Sequence, residues 1–452
     1  MRLLVLTPEY DGSGGGIMTF YQGLIPALQA EGVAVRVIEG SACHAAAEKS
    51  QHMCDGASVE TLELDRLKRW HARFGQFAAV PGLRRHLAAA WAMWEQAGFG
   101  EDADVVEACD WGLLFVPPAI EAKRPLLVQC HGSVGQIAQR DPIAGEETQD
   151  LLTRLLESTV LAGVDTLQTY SCADAASWQN ETGRNPSVVR PAWSRPALPP
   201  AQGIGNRGLV VGRAQRWKGP QVVCEALSSM GGRAPQIDWV GRDTPWGFRD
   251  TSTAAYLSRT YPGIWGKEVT RHDPISPEEV RRRQSSALFN LVPSTWDVFN
   301  FTAVEAMASG RPTIVSTGAG ASELIEDGVN GFVFPSGDAE KLAEAIDRVL
   351  SASAARLADI GRAAQDTVRR ALDPASITAQ RLAVYRSTID AFRGRRGRSA
   401  YGPIEEICRP ADGAPDDGGA FLDQVPLRTL VRHVAGRLGK KALSARALAG
   451  VR

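Results

Sequence analysis

The chain predicts an α/β fold: two doubly wound, mostly parallel sheets, one in each half, facing each other across a cleft. Three observations carry this. Short Val/Leu/Ile runs alternate with amphipathic stretches almost throughout residues 1–392, the pattern of βαβ units. The alternation breaks once, at residues 191–200 (PAWSRPALPP), and then restarts, as at an interdomain linker. The chain has 452 residues, whereas single cores rarely grow beyond ~250–300 residues.

In chain order, the apolar runs predict strands over 2–6, 33–38, 104–108, 125–130, 165–170 and 187–190 in the first half, residues 1–200. Amphipathic helices are expected over 17–30 and 148–161, whereas 43–56 gives no clear element. The second half, residues 205–375, predicts strands over 208–212, 236–241, 287–292, 312–316 and 331–335. Between the third and fourth of these lies a helix over 301–308, closed by Gly310 and Pro312 where helices usually stop. A helix over 376–392 places Leu382, Tyr385, Ile389 and Phe392 at helical spacing, for packing on a core. No internal repeat is present.

The tail, 393–452, changes character. Residues 394–398 are basic, and 402–423 are acidic and rich in Gly and Pro, which reads as disordered. The last stretch, 427–452, carries seven Lys/Arg and no acid, with Leu427, Leu430, Val431, Val434 and Leu438 on one helical face. A basic amphipathic helix suits an anionic membrane surface or an acidic partner; the plainer alternative is a solvated helix docked on its own protein.

Composition excludes several classes. A hydrophobic content of 44%, a charged content of 22% and a net charge of −1 give no whole-chain argument for nucleic acid. Seven scattered cysteines without a C-x-x-C pair predict reduced thiols and no metal cluster. The start, MRLLVLTPEY, reads as a strand and not a secretory signal, and no run approaches 18 apolar residues. A cytoplasmic protein is expected, touching the inner face of a membrane only peripherally.

The chemistry concentrates in residues 293–312, PSTWDVFNFTAVEAMASGRP. A strand leads into a loop carrying Asp297 and a helix carrying Glu305, so a helix N-terminus with free N–H groups lies between two carboxylates. That combination suits a ligand both anionic and rich in hydroxyls. Arg213 and Lys218 leave the end of the strand GLVVG and can converge on a diphosphate, although two exposed basic residues after a strand are commonplace. Gly14, Gly15 and Gly16 open the first helix, where glycine admits close approach of a phosphate; the spacing is not the dinucleotide fingerprint. His131 ends the run LLVQC on the cleft side, placed to donate to a substrate hydroxyl or move a proton, though a lone histidine is more often structural. Glu323 follows the glycine pair of GAGASE, either to bind hydroxyls or simply to favour a helix start.

Together these residues resemble the retaining glycosyltransferases of family 4, which have the GT-B fold of two Rossmann-like domains facing a central cleft. The resemblance covers most of residues 1–392. It is strongest from Gly208 to Gly337, in the order VGR, KG, PS-x-x-D-x7-E, EAMASGRP, GAGASE and DGVNGFVF. It implies a first, acceptor-side domain completed by the helix near 376–392, and a nucleotide-sugar domain over 205–375. Arg213 and Lys218 would hold the diphosphate of a nucleotide-sugar donor, and Glu305 the ribose. Asp297 would face the transferred sugar, with backbone N–H groups around Phe299, Asn300 and Phe301. His131 would contact that sugar, Gly15 and Gly16 would lie near the diphosphate, and Glu323 matches the acid after the family's glycine pair. The activity implied is hexosyltransferase-type, without a metal or other cofactor, on a glycan, lipid-linked or small-molecule acceptor, in cell-surface polysaccharide or glycoconjugate synthesis.

Two positions depart from the family. Asp297 stands where Glu is usual, so either the loop moves inward or a different sugar is held. Asn300 stands where Gly is usual, and Asn is among the residues that best tolerate positive φ. The other readings are a sugar-nucleotide epimerase of the same architecture, lacking a convincing acid–base set, and a non-catalytic nucleotide-sugar-binding protein. Retention of Arg213, Lys218 and Glu305 together argues against the latter.

Overall fold

A computed structural model describes residues 1–12, 15–143, 145–194, 204–247, 251–393 and 401–410, and within the last stretch 427–428, 431–432, 434–436 and 438. Gly14 and most of the 191–200 linker lie outside the described residues.

The first half builds one eight-stranded sheet: β1 (Arg2–Thr7), β2 (Ala34–Glu39), β3 (Ser50–Cys54), β4 (Ala57–Thr61), β5 (Val105–Cys109), β6 (Leu126–Gln129), β7 (Thr166–Thr169) and β8 (Ser187–Val188). Its order is β3-β4-β2-β1-β5-β6-β7-β8, parallel except where β3 pairs antiparallel with β4. The second half builds a six-stranded parallel sheet: β9 (Gly208–Val211), β10 (Ile237–Val240), β11 (Val269–His272), β12 (Asn290–Val292), β13 (Thr313–Ser316) and β14 (Phe332–Phe334). Its order is β11-β10-β9-β12-β13-β14. Strands such as β1 and β5 are buried on both faces because helices cover both sides of a parallel sheet.

Strand order fixes where chemistry can occur. The order reverses between β1 and β5 in one sheet and between β9 and β12 in the other. Crevices open beyond the carboxyl ends of strands at such switch points. Gly15 and Gly16 follow β1, Arg213 and Lys218 follow β9, and Asp297 and Glu305 follow β12, so the candidate residues sit beside both crevices.

One apolar cluster spans the halves beneath these loops, joining Val5, Phe20, Tyr21 and Tyr170 to Val298, Phe299, Ala303 and Met307. The helix Pro374–Arg393 crosses back onto the first half. There the buried Arg381 pairs with Glu107 of β5 and also bonds Gln129 of β6. Tyr385 donates to the same Glu107 oxygen, Oε2, so the buried carboxylate is met by both a cation and a phenol.

The sequence leaves residues 43–56 without an element, but the structure makes the hairpin β3–β4 at the sheet's edge. Its strand Ser50–Cys54 is half-exposed and polar, so it lacks the apolar run that marks the others. Residues 402–423, read as disordered, contain in their described part the helix Pro403–Cys408, docked on the first half. Cys408 is buried, its carbonyl accepts from Trp91 Nε1 at 2.9 Å, and Tyr401 packs against the same core.

Candidate active site

The helix Phe301–Ala308 begins at Asn300, whose φ of 83° is left-handed. Asn300 supplies three bonds there. Its Oδ1 accepts from Ala303 N at 3.1 Å, capping the helix, while Nδ2 donates to Asp297 Oδ2 at 2.9 Å and to Ser294 Oγ at 3.3 Å. It thus holds the conformation a glycine would take and adds an N-cap. The first-turn N–H groups of Phe301 and Thr302 point out of the helix's open end. Glu305 lies one turn on, half-buried, on the face it shares with Phe301.

Lys218 meets this loop from the other side. Its Nζ donates to Asp297 Oδ2 and stands 4.1 Å from the centre of the Trp217 ring. The Arg213 guanidinium faces the same ring at 5.9 Å; the residue as a whole is exposed, while partial burial of the guanidinium lowers its pKa against the pull of Asp297. Gly219 turns the chain at φ 76° directly against β12's exit, where an added Cβ would lie 1.9 Å from Pro293 O. That close approach holds Lys218 next to Asp297. The result is two cations, one carboxylate and a helix N-terminus in one place, an arrangement that attracts a diphosphate.

The first half contributes the opposite wall. Gly16 faces Phe301, with a built Cβ 3.7 Å from its ring, so the glycine loop and the helix entry confront each other. Gly15 is covered by the Glu9 side chain. Burial raises the Glu9 carboxyl, and the Met18 N–H draws it partly back. His131 leaves β6 with its backbone N–H on Asp110 Oδ1 at 2.9 Å, while Gly132 N–H reaches Oδ2 at 3.2 Å. Burial pushes the imidazole's pKa down to about 3, so the ring is neutral.

Glu323 lies differently from a sugar ligand. Its carboxylate accepts from Cys172 N at 3.1 Å and Ala173 N at 2.9 Å, at the start of the helix Cys172–Thr182 on the first half. Beside it, Ser171 Oγ donates to Val298 O at 2.9 Å. These contacts fasten the two halves together, and Gly320 is needed because a Cβ there would lie 2.7 Å from Ser171. The sequence reading also passed over Tyr170, Trp217 and Asp110. Tyr170 carries the same signal as His131, a polar residue at a strand's carboxyl end, and Trp217 stands between the two cations it organises.

Two facing parallel sheets with this chemistry gathered at their switch points define a GT-B enzyme. Residues 205–352 match the family model for glycosyl transferases group 1. It is similar to the D-inositol 3-phosphate glycosyltransferase of a Nocardioides species, 25% identical over 378 residues, 76% of this chain and 80% of that one. Sucrose-phosphate synthase from Thermosynechococcus elongatus shares the fold with a TM-score of 0.65 at 21% identity, over 86% of this chain and 100% of that one. HepE of Anabaena, solved with UDP-glucose, does so with a TM-score of 0.59 at 17% identity, over 86% and 100%.

Proposed function

We propose that the protein is a retaining, family 4 type hexosyltransferase that moves a sugar from a nucleotide-diphosphate donor to a glycan, lipid-linked or small-molecule acceptor, in cell-surface polysaccharide or glycoconjugate synthesis. The observation that carries this is the meeting of Lys218, Asp297 and the N-terminus of the helix Phe301–Ala308, with Arg213 alongside. When the glycosidic bond to phosphate breaks, positive charge grows on the anomeric carbon and negative charge on the departing diphosphate. Arg213, Lys218 and the N–H groups of the helix entry stabilise the latter, and because they are held in place beforehand they need little reorganisation. In this reading the protein's own cations supply the charge and no metal is required. Asp297 faces the sugar, Glu305 takes the ribose hydroxyls, and His131 meets a sugar hydroxyl. A covalent carboxylate intermediate is not part of the scheme, since Asp297 is engaged with Lys218 and Glu305 is assigned to the ribose.

UDP-glucose is the first donor to test, because HepE of Anabaena shares the fold and was solved with it. Lys218→Ala and Arg213→Ala should each lower turnover by about two to three orders of magnitude, the loss expected when a preorganised charge-stabilising group is removed. Circular dichroism and thermal melting should be unchanged. Parent-rate turnover of the same donor by both variants would remove the diphosphate assignment. We further propose that residues 427–452 bring the enzyme to an anionic membrane surface at the inner face. Among the described residues, no helix is long and apolar enough to cross a membrane.

A further inference from the structure

Tyr170 directly follows β7 and is buried, 2% exposed, between the two halves. Its ring packs edge-on against Phe20 of the first half at 5.1 Å and Phe301 of the second at 6.3 Å, and tilted on Phe299 at 5.9 Å. Its hydroxyl lies 2.8 Å from His131 Nδ1. The other ring nitrogen, His131 Nε2, is shielded from solvent and has no hydrogen-bond partner among the described residues.

Counting protons decides how this pair is arranged. A neutral imidazole has one N–H and one lone pair, and a phenol has one proton to give. If Nδ1 carried the proton, the tyrosine would accept it. The phenol proton and the Nε2 lone pair would then both be buried without partners. If Nε2 carries the proton, Tyr170 donates to Nδ1 and only the Nε2–H is left over. One unmade buried bond costs less than two. The Nε2–H tautomer is therefore preferred, and its spare donor is available to a ligand. A buried donor without a partner is uncommon in folded proteins and points to a group that arrives later.

We propose that Tyr170 is a positioning residue of the sugar-binding end of the cleft: its hydroxyl fixes His131 in the Nε2–H tautomer, so that the imidazole presents one N–H donor to a hydroxyl of the transferred sugar. The sugar contact rests on the function proposed above; the tautomer does not. The bracing of Tyr170 by Phe299 and Phe301 also ties this setting to the apposition of the two halves. Ser171, the next residue, makes the bond to Val298 O that joins them.

The test uses the full chain, ¹⁵N-labelled at histidine, at pH 7 without ligand, with a His131→Ala sample to assign the resonances. The parent should show His131 as the neutral Nε2–H form. Tyr170→Phe keeps the ring packing and removes the donated proton, so Nδ1–H should become populated with little change in melting temperature. For UDP-glucose hydrolysis, Tyr170→Phe should lower kcat/KM about tenfold, the scale of one hydrogen bond. In a His131→Ala background the same change should alter kcat/KM less than twofold, because its effect runs through the imidazole. A charged or Nδ1–H imidazole in the parent, or a tautomer indifferent to Tyr170→Phe, overturns the role of Tyr170. A tautomer that shifts while neither Tyr170→Phe nor His131→Ala changes donor kinetics overturns instead the sugar contact assigned to His131.

Discussion

Asp297 and Lys218 form an ion pair in the cleft, each side chain less than one-fifth exposed. The carboxylate takes part of the lysine's charge, and Asn300 takes part of the carboxylate's. Asp297→Asn is nearly isosteric and returns the full lysine charge to an incoming diphosphate. UDP should then bind more tightly, by about fivefold for roughly 1 kcal/mol of released ion pairing. Sugar transfer should fall, because the carboxylate facing the growing positive charge is gone. Isothermal titration and turnover on the same preparation read both; weaker UDP binding would sink the charge-sharing account, and unchanged transfer would remove the carboxylate from the mechanism. At this scale the sequence carried much of the site. The tolerance of Asn for positive φ anticipated the backbone of Asn300, but its role as N-cap depends on which way its amide points, and only the fold determines that. Glu323 marks the opposite limit: motif order gives it a family position, but nothing in the chain signals that its carboxylate accepts from Cys172 and Ala173 N–H, 151 and 150 residues away.

The turn from His131 into the first turn of the helix Val134–Arg140 is held by buried acids. Asp110 accepts from its first two N–H groups, Glu157 from Ser133 and Gly135, and Asp174 from Gln136. Burial pushes Asp110 up to about 8, Glu157 to about 7 and Asp174 to about 6. The folded protein therefore retains protons that the unfolded chain releases near pH 4. The contribution of these three acids to stability should be fully present below that pH and decline as pH rises through the folded values, up to about pH 8. It is partly offset below pH 6.5 by His86 and His131, which burial holds neutral and which therefore favour folding as pH rises. The expected outcome is a melting temperature falling by several degrees, on the order of 2–4 °C per kcal/mol, between pH 5 and pH 8. Asp174→Asn should flatten the part of the slope near pH 6. A melting temperature that climbs over that range would contradict the buried-acid account. None of this is visible in the chain, where Asp110, Glu157 and Asp174 are three unrelated acids; only the parallel order of β5, β6 and β7 brings them around one loop. Most strands were legible because buried parallel strands read as apolar runs; the edge strands β3 and β11 were not, being polar or only half-buried, nor was β4 (ASVET), which is mostly buried but carries Ser, Glu and Thr.

At the scale of the whole molecule, the last sixty residues divide into two parts with opposite roles. Residues 401–410 belong to the body. Tyr401 fills the space above Gly163, where a Cβ would lie 2.3 Å from its ring, and the carbonyl of Cys408 satisfies the indole of the buried Trp91. Composition hides this, because a few anchoring residues are set in an acidic, Gly- and Pro-rich context. Farther on, Leu427, Val431, Val434 and Leu438 are 74%, 59%, 54% and 64% exposed, and Arg432 reaches Glu147 at 3.7 Å. Side chains that repeat on one face and bury nothing against their own protein add little to its stability, but they can add affinity for a surface. Two truncations separate these roles. A chain ending at residue 426 should melt within about 1–2 °C of the parent, since exposed side chains contribute little. It should hydrolyse donor at the parent rate and bind phosphatidylglycerol-containing vesicles more weakly. A chain ending at 393 should also lose several degrees, because removing Tyr401 and Cys408 opens the core at a cost on the order of 3 kcal/mol or more. Vesicle co-sedimentation with and without 0.5 M salt gives the deciding comparison, as salt screens the contribution of the seven basic residues but not that of the apolar face. Equal vesicle binding by the parent and the 426 truncation would rule out the membrane role, and equal melting of the two truncations would remove residues 401–410 from the core.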